Sequence, residues 1–256
     1  MSKTSILRVG VFGASGRVGK LVVEAVLAAP DLVLAAATVS AASPMLGKPV
    51  PGGDVVYGAV GALPFAACDV IVDFSRPAAT MDLLDADRHG TIPLVIGTTG
   101  FDSFQSTMIE AAAHHRAVVL GANFGRGFPA FLRLASAAAA ESGTSARISE
   151  IYHARKKKEP SGTSVLLARA VATASGRAAA DVPIDVAREG ETVGVNAVRL
   201  DFRPATIEIR YIVHSLASYA EGALAAARWA IGCKPGLHQL ADVGQPADNE
   251  GARHDA

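Results

Sequence analysis

From Glu150 to Ala168 the chain reads EIYHARKKKEPSGTSVLLA. Tyr152, His153 and four consecutive cations (Arg155, Lys156, Lys157 and Lys158) stand just ahead of a Pro160-Ser161-Gly162-Thr163 turn and an apolar run. These residue types can do two things: hold an anion and move a proton. The turn directly precedes a helical pattern. A Ser or Thr hydroxyl can therefore cap that helix while the N–H groups of its first turn point toward a ligand. A carboxylate or phosphate would suit Ser161, Gly162 and Thr163. A run of cations alone most often reads as a solvated face, so the turn is the more specific signal.

A proton could come from Tyr152, His153 or Lys156. Tyr152 and Lys156 form Y-x-x-x-K, the spacing by which short-chain dehydrogenases bring a lysine ammonium to a phenol and tune it as an acid. That pairing calls for a helix, where residues four apart share a face. The segment ARISEIYHA (146–154) instead has strand character, and Pro160 follows too soon for a long helix. On a strand, Tyr152 and His153 would point to opposite sides. An unperturbed phenol, with a pKa of about 10, is also a different acid from an imidazole.

A second cluster lies near the start. VGVFGASGRVGK puts Gly13, Gly16 and Gly19 between the first strand and the first helix. G-x-x-G-x-x-G is a variant of the dinucleotide fingerprint, whose glycines allow a tight turn and close approach of backbone to a pyrophosphate at the helix start. An acid at the end of the second strand would select NAD. Here that end reads AAATVSAASP, with Val39 and Ser40 where the acid would stand. No carboxylate there repels a 2′-phosphate, and Arg17 is a candidate cation for it. The sequence leans to NADPH, with NADH as the alternative.

The elements that must position these residues alternate. LRVGVFG (7–13), LVLAAATV (32–39), VIVDFS (70–75), IPLVIGTT (92–99) and AVVLGANF (117–124) read as strands, and 17–30, 77–89 and 101–115 as helices. Such alternation gives an α/β fold, a Rossmann-type parallel sheet covered on both faces. After Phe124 the pattern changes to a helix (129–142), the 146–154 strand, a helix (163–175) and a strand pair (195–215) turning near Arg203-Pro204. That is a smaller α+β domain over 125–216. A helix over 219–231 would return to the first domain, so 1–124 and 217–256 form the dinucleotide-binding domain. The polar tail ADVGQPADNEGARHDA reads as frayed.

Composition narrows the function classes. The 256 residues carry 24 basic and 24 acidic side chains. Zero net charge gives no reason to expect nucleic acid or a membrane surface. No run approaches the roughly 18 apolar residues of a membrane span. No signal peptide is evident, because SILRVGVFGASG turns to glycine after a short apolar run. Cys68 and Cys233 are too few for a disulfide framework, and Cys68 reads as a small core residue. A cytoplasmic protein without a metal is expected.

Taken together, VFGASGRVGK, DVIVDFSRPAA, PLVIGTTGF, GANFGRG, EIYHARKKKEPSGTS and EGALAAARWAIGCKPGLHQL resemble the 4-hydroxy-tetrahydrodipicolinate reductases of the diaminopimelate route to lysine. Order and spacing match over nearly the whole chain. The resemblance implies a Rossmann domain plus an α+β substrate domain, and reduction of a small anionic dicarboxylate, 4-hydroxy-tetrahydrodipicolinate, by NAD(P)H. It implies that Gly13, Ala14, Ser15, Gly16, Arg17 and Val18 hold the pyrophosphate, with Ser40 at the end of the second strand. Gly97, Thr98 and Thr99, with Ala122, Asn123 and Phe124, would lie near the nicotinamide. Gly162 and Thr163 would bind a substrate carboxylate, His153 would bind substrate, and Lys156 matches the catalytic lysine.

The chain also departs from that family. Its paired histidines are Tyr152-His153 here, so Tyr152 stands where the family has its proton donor. A glycine-rich loop ending in G-E-H is absent, and the strand pair is shorter. Those strands build a tetramer in the family, so a homo-oligomer is expected, its size left open. The family's arginine near the second hinge is Leu216. These departures leave two other readings: a diverged paralogue acting on another anionic imine or enoyl compound, and a non-catalytic NADP-binding protein.

Overall fold

The computed structural model describes residues 6–141, 145–156 and 159–245. Lys157 and Lys158 of the cationic run, Ser142 and the tail beyond Gln245 lie outside them. In chain order the first elements are β1 (Leu7–Phe12), α1 (Gly19–Ala28), β2 (Leu32–Thr38), β3 (Tyr57–Gly58), β4 (Val70–Asp73), α2 (Pro77–Ala86), β5 (Leu94–Ile96), α3 (Ser103–Ala113) and β6 (Ala117–Leu120). There follow α4 (Phe128–Ala139), β7 (Ser145–Tyr152), α5 (Gly162–Ala174), β8 (Ile184–Arg188), β9 (Gly194–Asp201), β10 (Thr206–Val213), α6 (Ala217–Ala230) and β11 (Gly236–Gln239). The chain divides into two compact units, Met1–Gly121 with Ala220–Ala256, and Ala122–Tyr219.

The first unit is a seven-stranded sheet in the order β11-β6-β5-β4-β1-β2-β3, every neighbouring pair parallel. β1 and β4 lie at its centre and are buried on both faces, which is why they read as unbroken apolar runs rather than alternations. α1 buries Gly19, Val22, Val23 and Val26, the stripe of a helix packed on a sheet. α3 starts with a capping box in which Asp102 and Gln105 satisfy each other's backbone N–H groups. The chain runs outward one way from β1 to β2 and β3, and the other way from β4 to β5 and β6. The carboxyl ends of β1 and β4 therefore flank the switch point, where open parallel sheets bind ligands. From Ala220 on, α6 belongs to this unit, and Arg228 pairs with Asp31 at 2.7 Å.

The second unit is a four-stranded sheet in the order β10-β9-β7-β8, antiparallel except for the β7–β8 pair. Strand alternation sends Ile148, Glu150 and Tyr152 of β7, with Asn196, Val198 and Leu200 of β9, to the buried face. α4 and α5 pack on this sheet. Arg147, Arg199, Glu208 and Arg210 alternate to the opposite, exposed face. Glu150, Tyr152 and Asn196 are polar groups on a face that packing alone would make apolar.

Three strands lie outside the sequence expectation. β3, β8 and β11 each occupy a sheet edge and are short, so hydrophobic periodicity carries little of their signal. β7 also stops at Tyr152, two residues before the expected end at Ala154, because the chain turns there. Among the described residues, no helix is long and apolar enough to cross a membrane. The capping box gives a direct check on local stability. Asp102→Ala removes about 1 kcal/mol and lowers the melting temperature by about 2–4 °C in calorimetry.

Candidate active site

In the first unit the site begins with the turn between β1 and α1. Gly13 has φ +77, and a Cβ there would lie 2.7 Å from the Phe74 carbonyl oxygen. A Cβ on Gly16 would lie 3.1 Å from the Gly13 carbonyl oxygen, and one on Gly19 would collide with it. The turn is thus closed against the end of β4 and against its own helix. Beside it opens a cleft of about 530 Å³, lined by Gly13, Ser15 and Gly16, by Thr38 to Ala41 at the end of β2, and by Phe74 to Arg76 after β4. Ala14 is buried, and its N–H donates to the Thr38 carbonyl at 2.8 Å. Val18 is the N-cap of α1. Arg17 is exposed and does not line the cleft; the cation that does is Arg76, with Asp82 as the acid.

Asp73 at the end of β4 ties the neighbouring loops together, and sequence reasoning missed it. Its carboxylate accepts from the Ser75 N–H at 2.8 Å, from the Thr98 hydroxyl at 3.1 Å and from the Thr80 hydroxyl. Its carbonyl accepts from the Gly97 N–H at 2.8 Å. Burial pushes the Asp73 carboxyl up, and these hydrogen bonds oppose it. Gly97 packs against the Phe74 ring, where a side chain would collide. Thr98 is buried, whereas Thr99 is exposed. An acid ending an apolar strand, in VIVDFS, was the available signal.

In the second unit the site is a buried polar network. Ser161 caps α5, its hydroxyl accepting from the Ser164 N–H at 3.2 Å. Glu150 accepts from the Ser161 N–H at 3.0 Å and from the Ser164 hydroxyl. Asn196 donates to the Ser164 hydroxyl and accepts from the Tyr152 hydroxyl, both at 3.0 Å. Arg188 on β8 pairs with Glu150 at 2.8 Å and with Glu159 at 3.3 Å, and its Nε donates to the Lys156 carbonyl at 3.1 Å. Asn123 donates to the Thr163 hydroxyl at 3.3 Å and accepts from the Gly125 N–H at 2.8 Å. A Cβ on Gly162 would lie 3.3 Å from that of Ala122. Phe124 is buried, and His153 is half-buried just beyond β7. Arg188 and Asn196 carried no sequence signal.

The expectation that Tyr152 and Lys156 need a helix to meet is corrected. β7 ends at Tyr152, and the Lys156 N–H donates back to the His153 carbonyl at 3.0 Å, closing a turn. That turn places the Lys156 Nζ 4.1 Å from the centre of the Tyr152 ring. The helical short-chain dehydrogenase reading is thereby set aside. Arg155 is exposed and pairs with Glu191 at 2.6 Å.

Two family models cover the chain: the N-terminal part of dihydrodipicolinate reductase matches residues 7–124, and the C-terminal part matches residues 127–243. This chain belongs to the dihydrodipicolinate reductase family. A relative from Burkholderia pseudomallei (strain 1710b) named 4-hydroxy-tetrahydrodipicolinate reductase is 34% identical over 265 residues, covering 93% of this chain and 98% of that protein. Among solved structures, a dipicolinate-bound dihydrodipicolinate reductase from Paenisporosarcina sp. TG-14 superposes with a TM-score of 0.73 at 19% identity, covering 91% of this chain and 97% of the other. A myo-inositol dehydrogenase from Corynebacterium glutamicum ATCC 13032 gives 0.62 at 16% identity, covering 90% of each chain. At such identities the two structures speak to the fold alone. Dihydrodipicolinate reductases use a nicotinamide cofactor.

The electrostatics of the second unit follow from its burial. Burial opposes ionisation of Glu150, but Ser161, Ser164 and Arg188 outweigh it and hold its carboxyl below the ordinary carboxylate range. Burial pushes the Tyr152 phenol up, with Thr163, Ser161 and Asn196 working against that rise. The lowered Glu150 value has a stability consequence. Its contribution is complete above the unfolded-state pKa of about 4.3 and is lost as pH falls through the lower folded-state value. Glu150→Gln should cost about 3–5 kcal/mol at neutral pH, because Arg188 loses its buried partner. In urea denaturation the gap to wild type should close across that acid range.

Proposed function

We propose that this chain reduces 4-hydroxy-tetrahydrodipicolinate to tetrahydrodipicolinate with NADPH, in the diaminopimelate branch of lysine biosynthesis. The observation that carries this reading is the site of the second unit. A capped helix start, held from beneath by buried Glu150, shares one network with Lys156 in a chain that matches the family over both of its parts. Ser161, Gly162 and Thr163 present the α5 N-terminus to a substrate carboxylate. His153 contributes a second polar contact to the same ligand. A cytoplasmic location goes with such a biosynthetic role.

The first unit fits a dinucleotide. Its glycines leave no room for side chains at the turn, and a cleft opens beside them at the switch point of the sheet. Gly13 to Val18 would hold the pyrophosphate, with Ser40 at the ribose. Gly97, Thr98 and Thr99 would border the nicotinamide, and Asp73 fixes Gly97 and Thr98 in place. The end of β2 carries no acid, and Arg76 lines the cleft, which favours NADPH. Residues 1–124 and 217–256 thus serve the cofactor, and 125–216 the substrate. The exposed face of the four-stranded sheet, with Arg147 and Arg199 beside Glu208, is the surface for a homo-oligomer.

The 4-hydroxyl must first leave as water together with a proton from C5, which sets a C4=C5 double bond in conjugation with the ring imine. Bound nicotinamide would supply a hydride to C4 of that conjugated ring, and the electron pair displaced must then take up one proton. Lys156, fixed through its backbone by Arg188, is the acid this chain offers for that step, with Tyr152 beside it. The helix start neutralises the substrate carboxylate and holds the ring in register.

Steady-state assay of the purified chain with NADPH and freshly prepared substrate tests this reading. NADPH oxidation is expected, and turnover only with another imine or enoyl acid would make the chain a diverged paralogue. Lys156→Ala should lower kcat by about 10²- to 10⁴-fold while nucleotide binding persists. Arg76→Ala should weaken NADPH about 10- to 100-fold, the loss of a charge-assisted hydrogen bond, and leave NADH nearly unchanged. Equal losses for both nucleotides would contradict the assignment of Arg76.

A further inference from the structure

The residue that departs from its family, Tyr152, has two faces to its chemistry. Its hydroxyl is turned into the sheet, where it donates to Asn196 Oδ1 at 3.0 Å, and the side chain as a whole is only 3% exposed. The Lys156 Nζ lies 4.1 Å from the centre of the Tyr152 ring. The ammonium is therefore held against the ring. A cation within about 6 Å of an aromatic centroid is held by the ring quadrupole, which needs no hydroxyl.

The surrounding backbone makes this contact a built one. The Glu189 N–H donates to the Tyr152 carbonyl at 2.8 Å, and the Ala154 N–H to the Gly190 carbonyl at 3.0 Å. The Lys156 N–H and carbonyl are both engaged, by His153 and by Arg188. The strand end, the turn and β8 thus fix where the lysine side chain starts, and the ring fixes where it ends. Gly194 packs against the ring: a Cβ there would lie 2.8 Å from the Tyr152 Cε1. The other cation near the ring, the Arg188 guanidinium, is 5.9 Å from its centre and is paired with Glu150 and Glu159.

We infer that Tyr152 serves the reaction through the face of its ring, as the positioning residue that holds the Lys156 ammonium for proton delivery, and not through its hydroxyl. The inference rests on the reductase reading above. It gives the tyrosine a role unlike that of the histidine it replaces: the proton comes from the lysine, and the aromatic ring aims it.

The test compares Tyr152→Phe, which keeps the ring, with Tyr152→Leu, which removes it. Tyr152→Met takes the place of Leu if that variant does not fold. The Leu variant should lose roughly tenfold in kcat, with little change in KM, and Phe should recover most of that loss. A readout independent of turnover is the rate at which an acyl anhydride modifies Lys156, followed by peptide mass mapping. Acylation should be slow in wild type and Phe and several-fold faster in Leu. If Phe is as impaired as Leu, the hydroxyl acts and the inference is wrong; it is equally wrong if Leu matches wild type in both measurements. If wild type shows no turnover, the reductase reading fails, and the acylation contrast alone decides the ring contact.

Discussion

Glu150 carries a negative charge into the interior of the second unit, where two serines and Arg188 surround it. Burying a carboxylate is costly unless its oxygens are paired and hydrogen-bonded. Here the groups that satisfy it are those that shape the site. The Ser161 N–H and the Ser164 hydroxyl fix the first turn of α5, and Arg188 reaches on to the Lys156 carbonyl. One buried charge therefore specifies both the first turn of α5 and the loop that bears the lysine. A hydrophobic residue at this position could pack as well, but it would leave both elements without a common anchor.

The first unit uses the same device with other residues. Asp73 is buried at the end of a central strand and holds Ser75, Thr80, Gly97 and Thr98. In each unit a buried acid at or near the end of a strand organises the loops of the candidate site. The rest of each sheet supplies rigidity. Loops alone would not hold such groups to the fractions of an ångström that proton and hydride transfer demand.

Much of this was legible in the sequence because it is local. The glycine turn, the strand–helix alternation and the Ser161 cap each depend on residues within a few positions of one another. The remainder depends on register. Arg188 meets the site because it pairs with Tyr152 across the parallel β7–β8 ladder, and Asn196 because it pairs with Glu150 across β7–β9. Nothing within IDVAREGE or VGVNAV reveals those partners. The Tyr152–Lys156 contact is hidden for a related reason. Regular spacing brings residues four apart together only on a helix, whereas here a strand end followed by a turn does so.

The Glu150 charge builds the first turn of α5, the turn proposed above to take a substrate carboxylate. Calorimetric titration of pyridine-2,6-dicarboxylate into wild type and Glu150→Gln, in the presence of NADPH and at a temperature where circular dichroism shows both folded, tests it most directly. The account predicts binding weakened by about tenfold or more in the variant, with NADPH affinity unchanged. Equal dicarboxylate affinity in the two proteins would contradict it.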